Sequence, residues 1–392
     1  MKLSSHIWQG LITMTLIVCS LWVYDRYFKS VAVIEYQPNY YHEVSLKEQL
    51  NRRVQAYGSS VNTDFVEVAD RAMASVVYIT STQKVNDSRY KDEYRVEKGS
   101  GVIISPDGDI VTNYHVIADA DYIKITLEDK REYTAEVVGT DDATDLALLK
   151  IEAKGLPYQL FANSDSLKVG EWILAIGNPF GLQSTVTAGI VSAKARNIDV
   201  IDQNDIESFI QTDAVINPGS SGGALVSSDG SLMGIYSAIL SKSGNYEGLS
   251  FAIPGNLARK VVVDIKEFGA VQRGKIGVSI TDVDAEISDH MNLPFIKGIC
   301  INSINLNSAA ADAGLKKNDV ITEVGEHEVN SSSEFYEALN RYRPGDVVSV
   351  KYYRRGRTYN TDITLRNYLN TCLLYTSPSP RDRTRSRMPS SA

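Results

Sequence analysis

The chain has 392 residues, 43% of them apolar, enough for more than one buried core and in keeping with two to three domains. Its formal charge of −8, with no basic stripe interleaved with aromatics in the central region, argues against a nucleic-acid-binding surface. Three scattered cysteines (Cys19, Cys300, Cys372) make neither a disulfide framework nor a metal cluster, and the five histidines include no pair at ligand spacing, so no metal and no cofactor is expected.

In chain order, the first feature is an uncharged, mostly apolar run over 7–24, with Trp8, Trp22, Tyr24, Tyr27 and Phe28 near its edges. Its length suits a bilayer span and aromatics favour the interface, so residues 1–29 read as a membrane anchor, a single transmembrane helix. A cleaved signal peptide is the alternative, but no small-x-small site follows the run. Val18 before Cys19 fits a lipoprotein signal poorly. Residues 30–64 form a polar connector with one short helix, in which Ser45 and Glu48 fit a capping box and Leu46, Leu50 and Val54 share a face. From about 65 to 254, short β-branched runs alternate with Gly, Asp and Asn turns. Runs over 75–80, 122–126, 172–176, 184–191 and 232–236 predict the strands of a barrel or sandwich. Residues 256–268 then read as a helix with Leu257, Val261 and Ile265 on one face. The chain closes with a tail over 367–392, expected to be disordered. From Cys372 onward it resembles the translation of a sequencing-library adapter, so 372–392 is expected to be a read-through artefact, with the natural C-terminus missing.

The chemistry concentrates in Gly219-Ser220-Ser221-Gly222-Gly223-Ala224-Leu225. The apolar residues on either side place these glycines within a strand pattern rather than in a flexible linker. A hydroxyl is a poor nucleophile at neutral pH and needs a base within hydrogen-bond reach, itself held in one tautomer by a carboxylate. His115, after the run 111–112, and Asp145, before the apolar run 146–149, are candidates for those partners. Asp141 and Asp142 are rival carboxylates. The order His, Asp, Ser is that of chymotrypsin-like proteases. In such a centre the N–H groups of Gly219 and Ser221 would hold the oxyanion.

These segments resemble the HtrA family of trypsin-like serine proteases, most closely its membrane-anchored DegS-type branch. The likeness rests on Gly99-Ser100-Gly101-Val102-Ile103-Ile104, Thr112-Asn113-Tyr114-His115-Val116-Ile117, Thr144-Asp145-Leu146-Ala147-Leu148-Leu149-Lys150 and Ala175-Ile176-Gly177-Asn178-Pro179-Phe180-Gly181. It continues through Gln211-Thr212-Asp213-Ala214, Asn217-Pro218-Gly219-Ser220-Ser221-Gly222-Gly223 and Phe251-Ala252-Ile253-Pro254. Ser220 departs from the Asn common in the family. Further on, Gly274-Lys275-Ile276-Gly277-Val278 and the stretches 308–321 and 332–341 are similar to a PDZ module, with Asn318 where Gly is commoner.

The resemblance implies a mostly β chain: a chymotrypsin-like double β-barrel over 65–270, then an α+β PDZ domain over 271–366. It implies a specificity pocket lined by Ile216, Leu240 and Leu249, a sensing Arg196, and peptide-carboxylate binding by Lys275, Ile276, Gly277 and Val278. It also implies a homotrimer in the cell inner membrane, with protease and PDZ domains in the periplasm. Polypeptides would be the substrates, and C-terminal peptides of misfolded envelope proteins the activators. The anchor and the short run 81–98 favour envelope stress signalling over broad protein quality control. The rival outside the enzyme class is a non-catalytic PDZ scaffold or chaperone, which would have no need of all three residues.

Overall fold

A computed structural model describes residues 14–16, 18–20, 22, 65–84, 94–179, 184–196, 208–217, 219–239 and 248–375. The chain divides into two units, residues 1–62 and 63–392. In the first, residues 14–16, 18–20 and 22 are helical; the rest of the expected anchor and all of the connector helix lie outside the described residues. Among the described residues no helix is long and apolar enough to cross a membrane.

The second unit opens with helix α1 (Phe65–Met73) and continues into strands β1 (Val76–Lys84), β2 (Tyr94–Ile103) and β3 (Asp109–Thr112). A short helix α2 (Tyr114–Ile117) leads to β4 (Tyr122–Thr126), β5 (Glu132–Thr134), β6 (Glu136–Asp141) and β7 (Leu146–Lys150). These seven strands form one sheet in the order β5-β4-β1-β2-β3-β7-β6. A first closed barrel was expected, and this sheet is not closed by a strand ladder. Its two edge strands, β5 and β6, are consecutive, with Ala135 alone between them, so the chain joins the edges covalently.

The second sheet does close. Strands β8 (Trp172–Gly177), β9 (Thr185–Arg196), β10 (Phe209–Thr212), β11 (Ala224–Ser227), β12 (Leu232–Ile239) and β13 (Ser250–Pro254) form a barrel in the order β10-β13-β12-β11-β8-β9.

Successive strand residues point to opposite faces, and here both faces are buried. Leu146 and Leu148 of β7 enter a core between the two sheets, whereas Ala147 and Leu149 fill the interior of the first. Likewise Leu174 and Ile176 of β8 meet the inter-sheet core while Ile173 and Ala175 line the second barrel. Unbroken apolar runs are therefore what these strands require. Helix α3 (Gly255–Phe268) buries Leu257, Val261 and Ile265 as its periodicity predicts, and Gly269 (φ 73°) ends it, its N–H donating to Ile265 O.

The last sheet is the PDZ part: β14 (Val278–Asp282), β15 (Ile299–Ile304), β16 (Val320–Val324), β17 (His327–Glu328), β18 (Val347–Arg354) and β19 (Arg357–Thr364). Helices α4 (Ala285–His290), α5 (Ala309–Asp312) and α6 (Ser332–Leu339) accompany it. Its strand path is β14-β15-β16-β18-β19, with β17 paired to β16. Ser308 caps α5 and Ser331 caps α6 through side-chain oxygens. Order extends past 366: Asn367 bonds to Thr371 in a turn, and the backbone of Tyr375 pairs with the Gln272 side chain. The tail expected to be disordered from 367 is thus ordered as far as Tyr375, because buried Gln272 finds its partners there.

Ion pairs tie PDZ to protease. Buried Asp264 on α3 accepts from Arg343 at 2.8 Å, and Arg273 reaches Asp141 at 2.5 Å. Just past α6, Arg341 grips Asp165 in a bidentate pair at 2.5 and 2.7 Å. Burial raises the Asp165 pKa, but the hydrogen bond and charge of Arg341 outweigh it, leaving the carboxyl below its ordinary 3.8. A carboxyl depressed in the folded state contributes stability above its unfolded value and loses it as pH falls through the folded one. Asp165→Asn should therefore lower the thermal midpoint at neutral pH. The gap to the parent chain should close in an acid titration below 3.8; a gap constant with pH would refute the assignment.

Candidate active site

His115 sits in α2, directly after β3. Its ring Nδ1 lies 2.8 Å from Asp145 Oδ2, and its backbone N–H donates to Asp145 Oδ1 at 3.0 Å. Asp145 ends a 3₁₀ turn over Asp142–Thr144 in the left-handed region (φ 53°), a conformation that Asp tolerates better than most residues. Three further bonds hold it: Ser237 Oγ donates to Oδ2 at 2.8 Å, while Asn113 Nδ2 and the Tyr114 N–H donate to its carbonyl at 2.9 and 3.1 Å. An ionised carboxylate only accepts, so the proton of the shared bond belongs on His115 Nδ1, which leaves Nε2 free to take another. The rival carboxylates are used elsewhere. Asp141 pairs with Arg273, and Asp142 accepts from the Ala143 N–H.

Ser221 stands in a turn that only glycine permits on its far side. Gly222 has φ 86°, and a Cβ there would lie 2.1 Å from Ser100 O and 2.4 Å from Thr112 Oγ1. At Gly223 a Cβ would come within 2.4 Å of Ile176 O. The turn is stitched to β12, where the Gly222 N–H donates to Tyr236 O and the Tyr236 N–H to Gly223 O, both at 2.9 Å. Ser237, the next residue on that strand, holds Asp145. The Ser221 backbone also lies near the residue that follows His115: one point, the Cβ position of Gly99, is 2.5 Å from Val116 Cγ1 and 3.2 Å from Ser221 O. Ser221 Oγ and His115 make no hydrogen bond to each other in this structure. The N–H groups of Gly219 and Ser221 have no acceptor among the described residues.

Beneath the turn is a narrow cavity lined by Ile216, Asn217, Ser220 and Tyr236, among others. Ile216 is buried there, as expected of a pocket wall. Leu249 does not line this cavity; it packs on the inter-sheet core, and Leu240 lies outside the described residues.

The comparisons with known proteins agree with this geometry. Residues 99–235 match a trypsin-like peptidase domain and residues 274–365 a PDZ domain. The chain is 45% identical over 269 residues to the "Probable periplasmic serine endoprotease DegP-like" of Chlamydia muridarum, covering 68% of this chain and 54% of that one. A protein of the same description from Hahella chejuensis is 41% identical over 320 residues, covering 75% of this chain and 68% of the relative. The solved structure "HtrA-type protease AlgW with tripeptide" superposes with a TM-score of 0.63 at 39% identity, covering 80% of this chain and 98% of that one. The chain belongs to the HtrA-type serine proteases. It spans about half the length of most of the curated relatives it matches.

In this HtrA-type chain Arg196 ends β9, exposed, its Nε donating to Gln211 Oε1 at 3.2 Å. The residues expected to bind a peptide carboxylate, Lys275 to Val278, are all described. Lys275 pairs with Arg366 across an isolated bridge, Ile276 is buried with its carbonyl taken by Ala310, and Gly277 has φ 82°. The N–H groups of Ile276 and Gly277 have no acceptor among the described residues, as a peptide-carboxylate nest requires. Val278 opens β14, whose Asp282 is bonded to Ser332 at the start of α6. Sequence reasoning missed Asn113, Ser237 and Ser100. For Ser237 a signal existed: a hydroxyl within a buried apolar strand must have a partner.

Proposed function

We propose that this HtrA-type chain is a serine endopeptidase with Ser221 as nucleophile, His115 as general base and then acid, and Asp145 as the group that orients the imidazole. The observation that carries this reading is the Asp145 carboxylate, which takes bonds from both His115 and Ser237 while β12 also anchors the Ser221 turn. Ser221 Oγ attacks the scissile carbonyl carbon as its proton passes to His115 Nε2. The tetrahedral oxygen then lies against the N–H groups of Gly219 and Ser221. His115 hands the proton to the leaving amine, and water repeats the sequence on the acyl-enzyme. A nucleophile–base bond left open without substrate commonly closes in the substrate complex. Ile216 supplies an apolar wall to the specificity pocket that favours aliphatic side chains, since Lys or Arg would bury an unpaired charge there.

The free amides of the carboxylate loop support control by peptides with a free C-terminus, as does the peptide in the AlgW structure. Arg196 serves as the sensor of that control. The chain acts in the periplasm as a homotrimer anchored by its N-terminal apolar run, in envelope stress signalling; broad quality control is the second reading. Signalling is favoured by the short run of sequence between β1 and β2, whose ladder pairs out to Lys84 and Tyr94. A free-carboxylate peptide should raise turnover of an aliphatic chromogenic substrate, and its C-terminal amide should not. Arg196→Ala should lose that stimulation while still binding the peptide. Equal stimulation by acid and amide would end the proposed role of the loop.

A further inference from the structure

Ser100 lies in the middle of β2, on the first sheet, and is fully buried. Its contacts nevertheless cross to the second barrel. The Ser100 hydroxyl donates to Gly219 O at 2.9 Å and accepts from the Asn178 N–H at 2.8 Å. Its backbone N–H donates to Ser221 O at 2.8 Å, and its own carbonyl accepts from Thr112 Oγ1 at 2.7 Å. The flanking glycines allow this approach: a Cβ at Gly99 would meet Val116 at 2.5 Å, and one at Gly101 would meet Ile110 at 2.7 Å.

We propose that the Ser100 hydroxyl is a positioning group for the oxyanion hole, holding Gly219 in the orientation that aims its N–H at the tetrahedral oxygen. The inference rests on the proposed endopeptidase reading. It follows from how the peptide planes of the turn are held, each plane being rigid. The plane between Gly219 and Ser220 is pinned at its carbonyl by Ser100 Oγ and at its N–H by Asn217 O, the latter at 3.0 Å. The Ser220–Ser221 plane is pinned through Ser220 O by the Gly223 N–H at 2.9 Å. The Ser221–Gly222 plane is pinned at one end by the Ser100 N–H and at the other by Tyr236 O.

Gly219, at φ 93°, joins this series to the plane that carries its own N–H, with no side chain to restrict rotation at that joint. Without the Ser100 hydroxyl the Gly219–Ser220 plane keeps only its N–H bond to Asn217 O, and rotation at Gly219 then lets the Gly219 N–H, on the preceding plane, turn away from the hole. The hydroxyl spends its single proton on Gly219 and accepts from Asn178, so it also couples the hole to the segment just after β8.

A buried serine that merely satisfied neighbouring polar groups would affect stability alone. A positioning role predicts a selective loss in the transition state. Ser100→Ala should lower kcat by about 10- to 100-fold, less than the 10²–10³ typical of removing an oxyanion donor outright, with KM little changed. Affinity for a peptidyl boronic acid, whose tetrahedral adduct places an oxygen in the hole, should fall by the same factor. Affinity for the matching peptide amide should hold. Should Ser100→Ala not fold, Ser100→Cys keeps the same side-chain shape with a larger atom and a much weaker donor, and should show the same split. An unchanged kcat, or equal losses for boronate and amide, overturns the proposal. A parent chain that neither turns over substrate nor takes a fluorophosphonate label instead defeats the endopeptidase reading, and this inference with it.

Discussion

Replacing Ser221 by alanine is expected to abolish peptide hydrolysis, with kcat falling by about 10⁶-fold, while the fold is untouched. The structure explains why the two effects separate. What holds Ser221 in place is backbone: its carbonyl accepts from the Ser100 N–H, and the following amides are tied to β12. Its hydroxyl makes no hydrogen bond among the described residues, so deleting it leaves no partner unsatisfied. Stability should stay within about 0.5 kcal/mol of the parent, as for substitutions that break no buried network. The glycines that shape the turn, and the Gly219 and Ser221 amides, remain. The variant should therefore still bind peptide and still respond to a free C-terminus on its PDZ loop. Chromogenic turnover, fluorophosphonate labelling and thermal melting measured side by side check this. Labelling and turnover should vanish together at an unchanged midpoint. Retained turnover would move the nucleophile elsewhere and leave the scaffold reading standing.

Much of the molecule was legible in the residues, for identifiable reasons. Strand β4 spans the predicted 122–126, and α3 begins one residue before the predicted helix, because side-chain periodicity is a local property. The apolar run Leu146–Leu149 was plain in the sequence, but its burial on both faces was not; that depends on strands far along the chain. The same distance hid the supports of the site. Ser237 reaches Asp145 across 92 positions, and Ser100 reaches Gly219 across 119. The order His, Asp, Ser could suggest the trio, but pattern alone cannot supply a hydroxyl from another strand. Nor could it tell Asp145 from Asp141 and Asp142. That choice is made by Arg273, which neutralises Asp141, and by the left-handed turn that lifts Asp145 toward the imidazole.

Asp145→Asn tests that choice most sharply, and kcat should fall by about 10⁴-fold with the backbone preserved. Asn accepts the left-handed conformation at φ 53° as readily as Asp, and the carbonyl that binds Asn113 and the Tyr114 N–H is not altered. The loss arises from the side chain. Asp145 receives three hydrogen bonds: the His115 backbone N–H on Oδ1, and His115 Nδ1 and Ser237 Oγ on Oδ2. The backbone N–H can only donate, so the amide oxygen of Asn must face it, and the amide NH₂ then faces the ring. The Ser237 hydroxyl can rotate to accept; the imidazole can comply only by moving its proton from Nδ1 to Nε2. That is the nitrogen that has to receive the Ser221 proton, so the base is occupied in the ground state. KM should change little, because no group facing substrate has moved. Proton NMR should show the His115 Nδ1–H resonance of the parent lost and an Nε2–H in its place. A variant with near-parental kcat, or one retaining the Nδ1 proton, would mean that Asp145 neither selects the tautomer nor orients the base.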